Sequence, residues 1–269
     1  SKWYVSSDAA NALAARVALF QNKMTDAANY AEAVLANSSF SLASTAMDFS
    51  KNWVAGSSSP EIIFAYVNNS RASSPLNFTL YVNDTDGSWN YAPSDWCYNS
   101  LFADDNTLSR KGDVRLKATF TSQDANRVIK YPNGTYQLAE TSDYTCTPVV
   151  ISRISEMYLI KAEALGKTNG AAALVEYMKK RYTTAPSEAA IKALSDKEYQ
   201  TLILDERRRE FYAEGMRWQD IKRTNRLELL ETLDGRTYLM YYPIPQDEID
   251  MAGTVAYPQN PGYAGYTGN

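Results

Sequence analysis

The sequence predicts a mainly α fold: tetratricopeptide-like (TPR-like) helical hairpins with a long, mostly irregular insertion containing short strands. Three observations lead there. Apolar residues recur at i, i+3, i+4 and i+7 in three separated stretches, the period of one helix face. Alanines recur on the faces of the first two helices, so paired helices can approach closely. Between the first and second stretches lies a long tract in which turn-forming residues dominate.

The first pair occupies 1–37, with helices predicted over 8–20 and 25–36. Ala10, Leu13, Ala14, Val17 and Ala18 share one face, and Ala27, Tyr30, Ala31, Val34 and Leu35 repeat the spacing after the turn Gln21–Met24. The insertion is 38–150. Its best strand candidate is Glu61–Val67 (EIIFAYV), β-branched, aromatic and bounded by turn residues. Two further pairs fill 151–230. Ile151, Ile154, Ser155, Tyr158, Leu159 and Ala162 predict a helix over 152–166, which Gly166 ends. Thr168 or Asn169 caps the next, over 170–182, with Ala171, Leu174, Val175 and Met178 on its face. Ser195 and Glu198 form a capping-box pattern for a helix over 197–214, and Gly215 separates it from one over 217–224. The remainder, 231–269, is a tail rich in proline and tyrosine from Tyr241 on, predicted to lie extended.

The segment 205–226, DERRREFYAEGMRWQDIKRTNR, is the most unusual. The stripe Tyr199, Leu202, Ile203 continues through Glu206 and Glu210, so carboxylates occupy a core face. Such groups need cationic partners if they are buried. Arg207, Arg208, Arg209 and Arg217 are the nearest in sequence, and arginine suits the task because its planar fork meets a carboxylate in two places. One expectation is therefore a buried charged clamp covered by Trp218. The other is a solvated helix with intrahelical pairs such as Asp205–Arg209.

Composition removes several functions. The 269 residues are 45% hydrophobic and 22% charged, with a net charge of −4, so no basic stripe points to nucleic acid. No apolar run approaches the ~20 residues of a membrane span. Histidine is absent, which removes Ser–His–Asp and Cys–His nucleophiles and the usual zinc sites. Chemistry built on paired carboxylates stays open. No metal and no cofactor is expected. Cys97 and Cys146 form no CxxC; a disulfide and two separate thiols are both compatible with them.

Candidate binding residues cluster in GSWNYAPSDWCYNS. Trp89, Tyr91, Trp96 and Tyr98 offer apolar faces with polar edges, and Asn90 and Asp95 stand beside them to hydrogen-bond hydroxyls. Trp53 is a further candidate. Alternatively these aromatics pin the long loop to the helical scaffold. Asn83–Gly87 (NDTDG) has the oxygen ligands of a calcium loop but not its register, and a plain turn is expected. Asp113 and Arg115 suggest a local structural ion pair. Asp104 and Asp105 are adjacent carboxylates without the opposed placement that glycoside hydrolysis needs.

The run ERRREF-x-x-EG-x-RW-x-D-x-KR resembles the signature of the SusD/RagB family. Other segments resemble it in the expected order: SSDAANALAARVALF with YAEAVL, SPEIIFAYV, KGDVRLKATF, VVISRISEMYLIKAEAL, and YYPIPQDEID with QNPGY. The resemblance implies an outer-membrane, cell-surface lipoprotein of Bacteroidetes. Such a protein binds glycans without cleaving them and works with a SusC-like TonB-dependent transporter; some members handle oligopeptides instead. Members of that family are longer and begin with a signal peptide and a lipid-anchored cysteine, so this chain is expected to be the C-terminal part of such a protein. The alternatives are a carboxylate-based glycoside hydrolase and a TPR-type peptide adaptor.

Overall fold

The structure, a computed structural model, describes residues 2–54, 59–66, 93–120, 128–131, 147–230, 233–253 and 257–264. The chain forms two compact units, 1–214 and 215–269. Among the described residues no helix is long and apolar enough to cross a membrane.

In the first unit, helix α1 (Ser7–Phe20) starts at Ser6, whose hydroxyl accepts from the Ala9 N–H at 3.1 Å. It packs against α2 (Met24–Leu35). The buried face of α1 is Ala9, Ala12, Ala15, Ala18 and Leu19, whereas Ala10, Leu13 and Val17 of the expected face are exposed. Several stripes of an alanine-rich helix satisfy the same period. Volume decides between them, because a row of methyl groups admits the neighbouring backbone and leucine and valine would hold it off. Likewise Ala27, Ala31 and Val34 of α2 are buried while Tyr30 is exposed.

Strand β1 (Ile62–Tyr66) forms where EIIFAYV predicts it. It pairs antiparallel with β3 (Val149–Arg153), Ile62 opposite Arg153 and Ala65 opposite Val150. Residues 152–153 are therefore strand, not the first turn of a helix. The ladder claims their backbone groups, and the Ile154 N–H donates to the Glu61 carbonyl at 2.8 Å. Helix α5 (Ile154–Arg181) follows with one break, at Gly166 (φ 66°, ψ 175°), the residue expected to end a helix. The break lets the two segments touch: a Cβ on Gly170 would lie 2.2 Å from the Ala162 carbonyl oxygen.

Shorter elements surround α5. Strand β2 (Lys111–Asp113) pairs antiparallel with β4 (Tyr182–Thr184). Helix α3 (Ala46–Ser50), capped by Thr45, packs on α4 (Arg115–Thr119). Helix α6 (Glu188–Lys192), capped by Ser187, and α7 (Asp196–Glu210) both pack on α5. The capping box of α7 is as expected: the Glu198 N–H donates to the Ser195 hydroxyl at 3.2 Å, and the Ser195 N–H to the Glu198 carboxylate at 2.7 Å.

Helix α7 ends at Glu210, four residues short of the expectation. The Lys130 ammonium donates to the Glu210 and Tyr212 carbonyls at 3.0 and 2.9 Å, and the Tyr131 hydroxyl to that of Ala213 at 2.8 Å. A cation at the helix C-terminus satisfies carbonyls that a further turn would have used.

In the second unit, α8 (Met216–Thr224) opens after Gly215 (φ 78°) and closes at Asn225 (φ 52°). Its core is Ile221, Leu233 and Met240, with Trp218 and Leu227 packed against them. The tail is not extended throughout: Gln246–Met251 is a short helix, α9. Pro245 precedes it, and Asp247 and Glu248 favour its positive N-terminal end. The Gln259 amide bonds both backbone groups of Ile244, at 2.7 and 2.8 Å, which holds the two proline-rich stretches together.

Candidate functional site

The first unit is organised around a buried charge network centred on α7. Glu206 and Glu210 have no exposed surface and lie on the face that Tyr199 and Ile203 begin. Arg181 meets Glu210 with two prongs, each 2.9 Å, and Arg153 reaches Glu210 Oε1 at 2.5 Å. Arg115 bridges Asp113, at 2.7 Å, to Glu206, at 2.9 Å, and the Tyr177 and Tyr182 hydroxyls donate to Glu210 and Glu206 at 2.7 and 2.6 Å. Glu61, at the start of β1, takes Arg181 at 2.7 Å and Arg153 at 3.3 Å and also accepts the Ala43 N–H.

Electrostatics outweigh burial here. Burial pushes the Glu210 carboxyl up, but the guanidiniums of Arg181 and Arg153 hold it well below the usual carboxylate range. Glu206 is likewise lowered, with burial opposed by Arg115 and Arg209. Burial lowers Lys130 to about 8, although Glu214 at 2.6 Å pulls the other way.

The charged clamp is therefore real, but most of its cations are not those nearest in sequence. Of Arg207, Arg208, Arg209 and Arg217, Arg209 pairs with Glu206, at 2.8 Å. The others that hold Glu206 and Glu210 are Arg115, Arg153 and Arg181. Trp218 belongs to the second unit's core. Phe49, Trp53 and Phe211 are the aromatic walls: Trp53 lies 4.6 Å from the Lys130 ammonium and 5.3 Å from the Arg153 guanidinium, ring centroid to charge.

That placement settles the surroundings of Trp53. Its ring is 1% exposed and edge-on to Phe49 and Tyr131, so it offers no face to a ligand in this arrangement. Trp96 is the opposite case, half exposed at 50%, with Asp95 exposed beside it. It immediately precedes the π-helical turn Cys97–Leu101. Cys97 and Leu101 pin this turn into a core with Phe102, Phe120 and Val128, and Arg209 Nε donates to the Leu101 carbonyl at 2.5 Å. Burial pushes the Cys97 thiol up, so it stays protonated. The Arg208 guanidinium lies over the Trp96 ring, 4.8 Å from its centroid.

Tyr98 is half buried, its ring edge-on to Phe120 at 6.0 Å. Trp89, Asn90 and Tyr91 lie outside the described residues, as do Asn83–Gly87 and Cys146. Asp104 and Asp105 are committed to backbone: Asp104 accepts the Gly112 N–H at 2.8 Å, and Asp105 those of Thr107 and Leu108 at 2.9 and 3.1 Å. Sequence reasoning missed Arg208 as the partner of Trp96. The signal was present: successive helix residues are rotated by about 100°, so three consecutive arginines cannot share one buried face.

The sequence model of the SusD family matches residues 102–237. A curated SusD-like protein of Formosa agariphila is 30% identical over 142 residues, 48% of this chain and 27% of that protein. A SusD superfamily protein from Bacteroides fragilis superposes with a TM-score of 0.67 and 21% identity, over 98% of this chain and 66% of that one. Surface glycan-binding protein A from Bacteroides thetaiotaomicron gives 0.66 and 22%, over 98% and 65%. A laminarin-binding SusD-like protein gives 0.63 and 22%, over 97% and 63%. The solved structures speak for a shared fold, and the chain spans under two thirds, or just that, of their length. With the family model covering the charge network from Arg115 to Glu214, this chain belongs to the SusD family.

Proposed function

We propose that this chain binds glycan at the cell surface, holds it uncleaved and passes it to a SusC-like TonB-dependent outer-membrane transporter. The observation that carries the reading is Trp96, a half-exposed indole held on a pinned turn in a member of the SusD family. An indole held so is suited to stack on a sugar ring, and Asp95 is within reach of ring hydroxyls. Trp89, Tyr91 and Asn90 belong to the same stretch of the 38–150 insertion and complete the proposed site, with Tyr98 at its edge. The relatives named for laminarin and for surface glycan support this ligand class. The commitment of Asp104 and Asp105 to backbone speaks against their use as a hydrolytic pair.

The test is titration of oligosaccharides against the wild type and against single alanine variants at Trp89, Tyr91, Trp96 and Tyr98, with chromatography of the sugar afterwards. Loss of binding in Trp96→Ala with intact sugar supports the reading. Cleaved sugar favours a hydrolase, and unchanged affinity in all four variants moves the site elsewhere.

A further inference from the structure

We propose that the Trp96–Arg208 pair makes this surface selective for acidic glycans, those with a carboxylate or sulfate on the sugar that stacks on Trp96. This rests on the glycan-binding reading above and adds the ligand's charge to it.

Arg208 takes no part in the buried charge network. Its neighbours Arg207 and Arg209 are buried on α7, and Arg209 is spent on Glu206 and the Leu101 carbonyl. Arg208, half buried, forms no ion pair among the described residues. Two carboxylates are close in sequence, Asp205 one turn back on α7 and Asp95 beside Trp96, yet the guanidinium sits on the indole instead, 4.8 Å from its centroid.

A guanidinium over an aromatic ring loses little by it, because that cation is weakly hydrated and the ring's face is negative. Among the described residues its N–H groups donate to no carboxylate and no carbonyl, so they remain available to an anion. A carboxylate or sulfate accepts from a guanidinium in two places. The guanidinium takes one side of the half-exposed indole, so the pair offers an anion's donor beside the remaining indole surface, where a sugar ring can pack. Arginine's long side chain is already ordered before a ligand arrives, which removes part of the usual entropic cost. The chain's net charge of −4 repels anions at long range, so selectivity has to come from this local contact.

Three probes of equal length test the idea: a neutral laminari-oligosaccharide, its sulfated form and an oligogalacturonate, each titrated calorimetrically against wild type, Arg208→Gln and Arg208→Lys. A charge-assisted, two-pronged contact predicts that at least one acidic probe binds wild type about tenfold or more tighter than the neutral one at low salt. That ratio should fall towards one in Arg208→Gln, recover in part in Arg208→Lys, and shrink at about 0.5 M salt. Melting curves check that the variants fold. A wild-type ratio of one or below, or a ratio that Arg208→Gln leaves intact, overturns the selectivity while glycan binding stands. Failure of all three probes to bind removes both.

Discussion

Arg181 and Glu210 meet as a two-pronged pair, Nε to Oε2 and Nη2 to Oε1, both at 2.9 Å and with neither side chain exposed. The pair ties the last turn of α5 to the last turn of α7. Through Glu61, which Arg181 also holds, it ties both to β1. Three elements distant in sequence are thus fixed around one guanidinium, and α7 in turn carries Arg208 and Arg209 to the Trp96 turn.

Removing Glu210 leaves Arg181 and Arg153 with fewer carboxylates than they hold now, Glu61 and Glu214 remaining. Glu210→Ala leaves Arg181, Arg153 and the Tyr177 hydroxyl without a shared acceptor in the core, which costs on the order of 3–5 kcal/mol. Urea denaturation should show this loss, while oligosaccharide affinity of the remaining folded protein stays near that of wild type. A variant as stable as the parent would mean that the network is not holding the fold.

Acid should unfold the protein through the same carboxylates. Glu206 and Glu210 have folded-state values below the 4.5 of a free glutamate. Their contribution is fully present above that value and is lost as pH falls through the folded ones, where the native state must take up protons. Melting temperature should therefore decline steeply below about pH 4.5, and the decline should be shallower in Glu206→Gln and Glu210→Gln proteins. Equal slopes in parent and variants would place the acid sensitivity elsewhere.

Two glycines of α5 should answer differently to alanine. At Gly170 a methyl group would meet the Ala162 backbone oxygen at 2.2 Å, and backbone cannot step aside cheaply. Overpacking of that kind costs about 1–3 kcal/mol. At Gly166 there is open space and only the backbone opposes alanine: φ 66° with ψ 175° is a region open essentially to glycine, a cost of about 1–3 kcal/mol. In the Gly170→Ala protein, Tyr199 should also lose its bond to the Ala162 carbonyl, visible as faster amide exchange in α7. Unperturbed exchange there would count against close contact of the two α5 segments.

How much of this was legible depended on sequence distance. The α7 capping box, the carboxylate stripe, the Asp113–Arg115 pair and the break at Gly166 are local, and each reads correctly from spacing. The partners Arg153 and Arg181 are not local: each looks like an ordinary charge beside a helix end, and only the packing of α5 against α7 brings them to Glu210. The β3 ladder hid for the same reason, since Ile151–Arg153 continues a helical period until β1 claims its backbone. Trp53 and Trp96 have the same chemistry in similar loop contexts. What separates them is that Lys130 and Arg153 arrive from elsewhere in the chain to bury one, while the Cys97–Leu101 turn leaves the other outside.

The proposed role for Trp96 is tested most directly by the indole N–H signals of the 15N-labelled protein during titration with oligosaccharide. Trp96→Phe identifies the resonance in question, and Trp53, buried in the charge network, serves as the internal control. A saturable shift of the Trp96 signal is expected, with the Trp53 signal unmoved. Sugar binding that leaves the Trp96 resonance in place would contradict it.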